Sequence, residues 1–306
     1  MLSRPCGPPM YPRPFHYHRA RSLKQASSLL SELGPEARLL AGGQSLIPLM
    51  KLRLANPAHL VDLNFIPRTS YIKRQAGTLR FGPLTRHAEI EHSDVAGKVP
   101  IIHDCAAGIA DVQVRNRGTM AGSLAEADPS GDWAPVLLAL ETTVHCLGPS
   151  GRRDVPLTEF IKDAYTTTLD DGELISEIAV KLPPAHSGGA YLAFKRCAPV
   201  YASAAVAAQL TMEDGHCRDA RVYLGAVGLT PIRATEAEAA LREKPVSPEI
   251  IAAAAEAARA AADPQPDKRG SAEFKRQLVF ALTRRVLDIA ARRARGECVE
   301  SSHIYA

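Results

Sequence analysis

The stretch "SLKQASSLLSEL" carries apolar side chains at positions 23, 26, 29, 30 and 33, the spacing of one helical face. Ser22 stands before it as an N-cap and Gly34-Pro35 stops it, so the pattern predicts a helix over 23–33. "ARLLA" reads as a short buried strand running into a Gly42-Gly43 turn. "LIPLMKLRL" follows as an apolar helical stretch with two cations, and "HLVDL" is a second buried strand. This order of helix, strand, turn, helix and strand predicts a mixed α/β unit. "YIKRQAGTLRFG" reads as a hairpin turning at Ala76-Gly77, and "TRHAEIEHS" as a short helix. From 105 to 132 small residues, glycines and polar groups replace any clean period, which predicts a long irregular segment kept for function. "WAPVLLALE" closes it as a buried helix, "TVHCLGPSGRRDVPL" forms a hairpin about Pro-Ser-Gly, and "ELISEIAVKL" adds a strand.

Pro183-Pro184 and "HSGG" mark a boundary. Beyond it lie three extended runs, "AYLAFKRC", "ASAAVAAQLTM" and "ARVYLGAVG", the last two joined at Glu213-Asp214-Gly215. Three helices follow: "TEAEAALRE" with Thr235 as cap, "SPEIIAAAAEAARAA" with Ser247 as cap and Pro248 in its first turn, and "SAEFKRQLVFALTRRVLDIAARRA". Strands first and helices after predict a separate α+β unit. No internal repeat is visible. The chain therefore divides into a Pro-rich disordered leader over 1–9 (with Met10 as an alternative start), a first domain over 10–185, a second over 186–297 and a tail over 298–306.

Composition narrows the function classes. Net charge is only +4, too small to argue for a nucleic-acid or membrane-surface partner. No apolar run reaches the length of a membrane span, and the N-terminus lacks the apolar core of a signal peptide, which makes the cytoplasm the expected location. Cys6, Cys105, Cys146, Cys197, Cys217 and Cys298 are scattered without a single C-x-x-C, so this chain is expected to carry neither a zinc ribbon nor an iron–sulfur cluster. His16 and His18 would share one face of a strand, but in a Pro-rich stretch a metal site is not expected. His87, His92 and His103 lack a carboxylate pattern for acid–base work and read as surface or structural residues. Arg284, Arg285, Arg292, Arg293 and Arg295 group on one helical side; without interleaved aromatics they read as a solvated face.

Two glycine segments remain. In Gly42-Gly43-Gln44-Ser45 the glycines permit positive φ and close approach, and consecutive N–H groups form an anion-binding nest. In "RNRGTMAGSLAEADPSGD", Gly118, Ala121 and Gly122 give a second close-approach backbone. Thr119 and Ser123 supply hydroxyls there, and Asp128 and Asp132 supply acceptors for ribityl or ribose hydroxyls. Neither segment fits G-x-G-x-x-G or G-x-x-x-x-G-K-[ST]. Either segment alone reads as a tight turn; two in one domain suggest a long ligand such as a dinucleotide.

With these residues in place, the chain resembles the FAD-binding medium subunit of molybdenum hydroxylases of the carbon monoxide dehydrogenase and xanthine dehydrogenase type. The resemblance rests on "MYPRPFHYHRARSLKQA", "LLAGGQSLIPLMKLRLANPAHLVDLN", "FGPLTRHAEIE", "VQVRNRGTMAGSLAEADPSGDWAPVLLALE" and "PIRATEAEAAL" with "DKRGSAEFKRQLV". It implies an α+β chain: a PCMH-type FAD-binding domain of two α/β subdomains, then a C-terminal domain of a three-stranded antiparallel sheet with helices. By the same resemblance Leu39, Leu40, Ala41, Gly42, Gly43, Gln44, Ser45 and Leu46 wrap the FAD diphosphate. Thr119, Met120, Ala121, Gly122 and Ser123 form the opposing loop, and Asp132 meets ribityl or ribose hydroxyls. Ile109 lines the flavin pocket, Ile178 is a further cofactor-binding residue, and Lys195 and Tyr201 lie beside the isoalloxazine. No catalytic residue and no metal ligand is expected on this chain.

The sequence departs from the family at three places. Ala121 stands where a glycine is usual, Pro199-Val200 where Gly-Asp precedes the aromatic, and Glu126 where histidine is common. The implied partners are a large subunit with a molybdopterin cofactor and a small subunit with two [2Fe-2S] clusters, in a dimer of heterotrimers. The implied acceptor is NAD, a quinone, a carrier protein or O2. The competing readings are a stand-alone flavin oxidase of the vanillyl-alcohol-oxidase fold group, a scaffold that has lost FAD, and, resting on the arginines alone, a nucleic-acid binder.

Overall fold

The computed structural model describes residues 11–301 together with 304 and 305; the expected leader and Cys6 lie outside them. The chain opens with β1 (His16–Arg19), α1 (Leu23–Leu33), β2 (Ala37–Leu40), α2 (Leu46–Lys51) and β3 (His59–Asp62). The strands make a small parallel sheet in the order β1-β3-β2. The Ser22 hydroxyl caps α1 by accepting from the Gln25 amide at 3.1 Å, and Gly34 ends it at φ 64°. The prolines around 8–14 hid β1 from the pattern. On it, His18 Nε2 lies 3.0 Å from His59 Nδ1 of the neighbouring strand.

Next come β4 (Ile72–Gln75) and β5 (Thr78–Phe81), a hairpin whose Ala76 and Gly77 both take positive φ, as a two-residue turn requires. Six helices follow: α3 (His87–Glu91), α4 (Asp94–Gly97), α5 (Pro100–Gly108), α6 (Val112–Arg115), α7 (Met120–Glu126) and α8 (Trp133–Ala139). The segment 105–132, expected to be irregular, is therefore largely helical. Its helices are too short to display a period, and α6 and α7 each start on a local cap. The Asp111 carboxylate accepts from the Val114 amide at 2.8 Å, and the Thr119 hydroxyl from the Gly122 amide at 3.0 Å. The chain then runs through β6 (Thr142–Gly148), β7 (Gly151–Pro156), α9 (Leu157–Phe160), β8 (Ile161–Asp163), β9 (Thr166–Thr167) and β10 (Leu174–Lys181). An antiparallel sheet forms in the order β4-β5-β10-β6-β7.

The last part contains β11 (Ser187–Lys195), β12 (Ala204–Glu213), β13 (His216–Gly225), β14 (Ile232–Arg233), α10 (Thr235–Leu241), α11 (Pro248–Ala261), α12 (Ala272–Ala294) and β15 (Ile304–Tyr305). The three long strands are antiparallel, as expected. Short β14 and β15 widen the sheet to five strands, β15 adding in parallel to β11. Ser247 and Ser271 cap α11 and α12, whereas Thr235 is the first helical residue of α10 and caps nothing.

One face of this sheet buries Leu192, Val206 and Val222 under α11 and α12 through Ile251, Val279, Leu282 and Val286. The other face presents Tyr191, Ala193, Ala205, Ala207 and Tyr223 to Ile101, Ile102, Cys105, Trp133 and Val136 of the preceding part, so one apolar core runs through both. Arg293 breaks the expectation of a solvated arginine face. Its buried guanidinium grips Asp104 with bonds of 2.6 and 3.0 Å, which ties α12 to α5. Arg284 and Arg285 are exposed, as expected. Among the described residues no helix is long and apolar enough to cross a membrane.

Candidate functional site

A cleft of about 650 Å³ opens between the parallel sheet, the starts of α7, α8 and β10, and the end of β11. That is the size of a small-molecule or cofactor site. At its centre the chain leaves β2 and turns at Gly42-Gly43 into α2. Gly43 takes φ 73°, and a Cβ on Gly42 would fall 2.2 Å from the Arg117 carbonyl oxygen. Glycine at 42 is thus required by the second loop, which lies directly against the first. Among the described residues the backbone amides of 42–46 find no acceptor in the chain, while Ile47 onward enters helical bonding. Five consecutive free donors on a glycine cradle fit an anionic diphosphate.

The opposing loop is the start of α7. Thr119, Ala121, Gly122 and Ser123 line the cleft, with the Thr119 side chain spent on its cap. Ala121, the departure from the usual glycine, sits inside the helix, where its Cβ carries no conformational penalty. Three side chains join the two loops. Arg86 donates to the Arg117 carbonyl and to the Asn64 side-chain oxygen. Asn64 in turn donates to the Ala41 carbonyl at 2.9 Å. His87 packs behind Gly118, whose Cβ would lie 2.6 Å from the imidazole Nε2, and His87 Nδ1 accepts from the Trp133 indole at 3.0 Å. Burial pushes the His87 imidazole down to about 4, so it is neutral and able to accept that bond.

The inner end is built from side chains. Lys195, at the end of β11, is 1% exposed. Its ammonium donates to the Gly108 carbonyl at 2.8 Å and lies 3.0 Å from the Asp132 carboxylate. The Tyr191 hydroxyl donates to the same carboxylate at 2.6 Å. Apolar Ile109, Ala110 and Val114 line the wall nearby, held by Arg115, which donates to the Ile109 carbonyl at 3.1 Å and pairs with Glu91 at 2.8 Å. At the mouth, Tyr201 is 49% exposed beside Pro199 and Val200. Burial, and then the Asp128 carboxylate, raise its hydroxyl above the ordinary tyrosine range. Glu126, where the family often has histidine, is raised by burial and then by Asp128.

The cleft thus collects Leu39, Ala41, Gly42, Gly43, Gln44, Ser45, Leu46, Ile109, Thr119, Ala121, Gly122, Ser123, Asp132, Lys195 and Tyr201. Three residues expected at the ligand do not line it. Leu40 sits in β2 with its carbonyl taken by the Leu63 amide, Met120 faces the core, and Ile178 is fully buried in β10 opposite Phe81 and Val144. Leu174 and Ile175, at the start of β10, reach the cleft instead. Asp132 lines the cleft, but Tyr191 and Lys195 already occupy its carboxylate. Arg86, Asn64 and Tyr191 escaped the sequence reading. Strand alternation placed Tyr191 and Lys195 on one face of a predicted strand and was the available signal for Tyr191; nothing local marked Arg86 or Asn64.

Comparison with known proteins bears directly on this cleft. A family described as the FAD binding domain in molybdopterin dehydrogenase matches residues 13–184, and one described as the CO dehydrogenase flavoprotein C-terminal domain matches 189–290. The 6-hydroxypseudooxynicotine dehydrogenase complex subunit alpha of Paenarthrobacter nicotinovorans is 40% identical, over 94% of this chain and 97% of its own length. The carbon monoxide dehydrogenase medium chain of Afipia carboxidovorans is 38% identical, over 94% of this chain and 100% of its own. A solved structure of carbon monoxide dehydrogenase from Hydrogenophaga pseudoflava, lacking the Mo-pyranopterin moiety of its molybdenum cofactor, superposes with a TM-score of 0.89 at 38% identity. It covers 92% of this chain and 99% of the matched one. With a glycine-cradled row of free amides at the centre of its cleft, the chain belongs to the FAD-binding medium subunits of molybdenum hydroxylases of the carbon monoxide dehydrogenase and xanthine dehydrogenase type.

Proposed function

We propose that this chain is the electron-transferring FAD subunit of a heterotrimeric molybdenum hydroxylase. Residues 10–185 form its cofactor domain and 186–297 its second domain. The observation that carries the reading is the row of five free amides at 42–46 facing the start of α7. On this reading Gly42 to Leu46 hold the diphosphate and Thr119 to Ser123 close on it from the opposite side. Ile109 and Lys195 border the flavin ring, and Tyr201 covers the mouth. Bound FAD supplies the two-electron store that collects single electrons from two [2Fe-2S] clusters of a small subunit, after a molybdopterin large subunit has oxidised the substrate. The chain's own residues bind, orient and shield the cofactor. None is placed as a catalytic acid or base. Electrons leave to NAD, a quinone, a carrier protein or O2. The assembly is a dimer of heterotrimers, and its place is the cytoplasm.

The visible absorption spectrum of the purified protein tests this. The expected protein is yellow, carries about one FAD per chain, and turns over substrate only with its large and small partners. A colourless protein that takes up no added FAD would falsify the reading, and a yellow protein that turns over alone favours a stand-alone oxidase.

A further inference from the structure

Tyr191, Asp132 and Lys195 form one buried line of hydrogen bonds that ends at the cleft. Tyr191 lies behind the wall, fully buried, with its backbone amide donating to Asp104 at 3.2 Å, and Asp104 is itself gripped by Arg293. Its hydroxyl donates to Asp132 at 2.6 Å. Asp132 and the Gly108 carbonyl together take two of the three N–H groups of the Lys195 ammonium. Lys195 lines the cleft, so this ammonium stands at its wall. Two of these groups stand on β11 and the other two on α5 and at the start of α8, so docking of the two parts of the chain assembles the line.

Fixed charge at this position matters because reducing a flavin makes it more negative, and a charge in a dry wall acts far more strongly than one in water. Building on the FAD reading above, we propose that Tyr191 is a positioning residue that sets the reduction potential of the bound cofactor. Its hydroxyl holds Asp132, Asp132 holds the Lys195 ammonium against the cleft, and the ammonium favours the reduced flavin. Tyr191 does not line the cleft, and its hydroxyl reaches the cleft wall through Asp132. Removing its O–H concentrates negative charge on Asp132 and offsets more of the lysine's field. Of the neighbouring groups, buried His87 is neutral, Arg293 is paired with Asp104 and Arg115 with Glu91, while the Lys195 ammonium stands with Asp132 at the wall.

Spectroelectrochemical titration of the FAD-loaded protein, purified with the subunits that accompany it, tests the assignment alongside its FAD content. Tyr191→Phe is expected to keep full FAD and shift the midpoint potential to more negative values. Lys195→Met is expected to shift it further in the same direction, whereas Lys195→Arg, which keeps the charge, stays nearer the wild type. An unchanged potential in Tyr191→Phe with FAD bound overturns the proposal. If Lys195→Met releases its FAD, Tyr191→Phe alone decides. Wild-type protein that takes up no FAD sinks the functional reading, an outcome distinct from loaded protein with an unmoved potential.

Discussion

The two ends of the cleft are built by opposite means. The centre uses backbone: amides 42–46, two glycines, and a second loop packed so tightly against the first that a single Cβ at 42 has no room. The inner end uses side chains from distant parts of the chain, with Lys195 reaching Gly108 and Asp132 across 87 and 63 positions. The backbone site forms locally, wherever the turn can form. The side-chain site exists only when the α11–α12 half docks onto α5 and α8. On the proposed reading, binding and tuning of the cofactor fall to different parts of the fold.

Breaking the dock is expected to have the largest effect. Asp104→Asn leaves the Arg293 guanidinium buried without its counter-charge, at a cost of about 3–5 kcal/mol, readable by chemical denaturation. ADP, which needs the nest but not the inner end, should bind this variant within about twofold of the wild type, because neither Asp104 nor Arg293 lines the cleft. A large loss of ADP affinity would mean that the two ends are not separable. His87 comes next. Its folded-state value of about 4 lies below the ordinary 6.5, so the unfolded chain binds the extra proton between these values. The resulting stabilisation, on the order of 3 kcal/mol, is fully present above pH 6.5 and is lost as pH falls toward 4. His87→Gln, which can still accept from Trp133, should flatten that part of the stability-versus-pH curve. Smallest is Gly42→Val. Its overpacking against Arg117 costs about 1–3 kcal/mol, or roughly five- to 150-fold in FAD affinity by titration, and the inner end should be left intact.

Legibility in the sequence followed the same division. The helix 23–33, the hairpin at Ala76-Gly77 and the three long strands of the second part could be read because each rests on a period, a cap or a turn within a few residues. The nest could be read because glycine is the only residue that fits its backbone. The helices between 105 and 126 could not, since stretches of one or two turns packed through alanine and glycine show no apolar stripe. Arg293 looked solvated because its partner lies 189 positions away. Asp132 looked like a ligand to hydroxyls because nothing near it in sequence announced Tyr191 or Lys195.

Trp133 is the chain's sole tryptophan. Its indole is bonded to His87, and His87 supports Gly118 beside the nest. The molecule therefore carries its own optical probe. A flavin seated in the cleft accepts excitation from this indole, so cofactor loading should read out as loss of tryptophan emission without any label. Because the same indole donates to His87, protonation of that ring in acid would break the bond and alter the emission before the fold as a whole gives way.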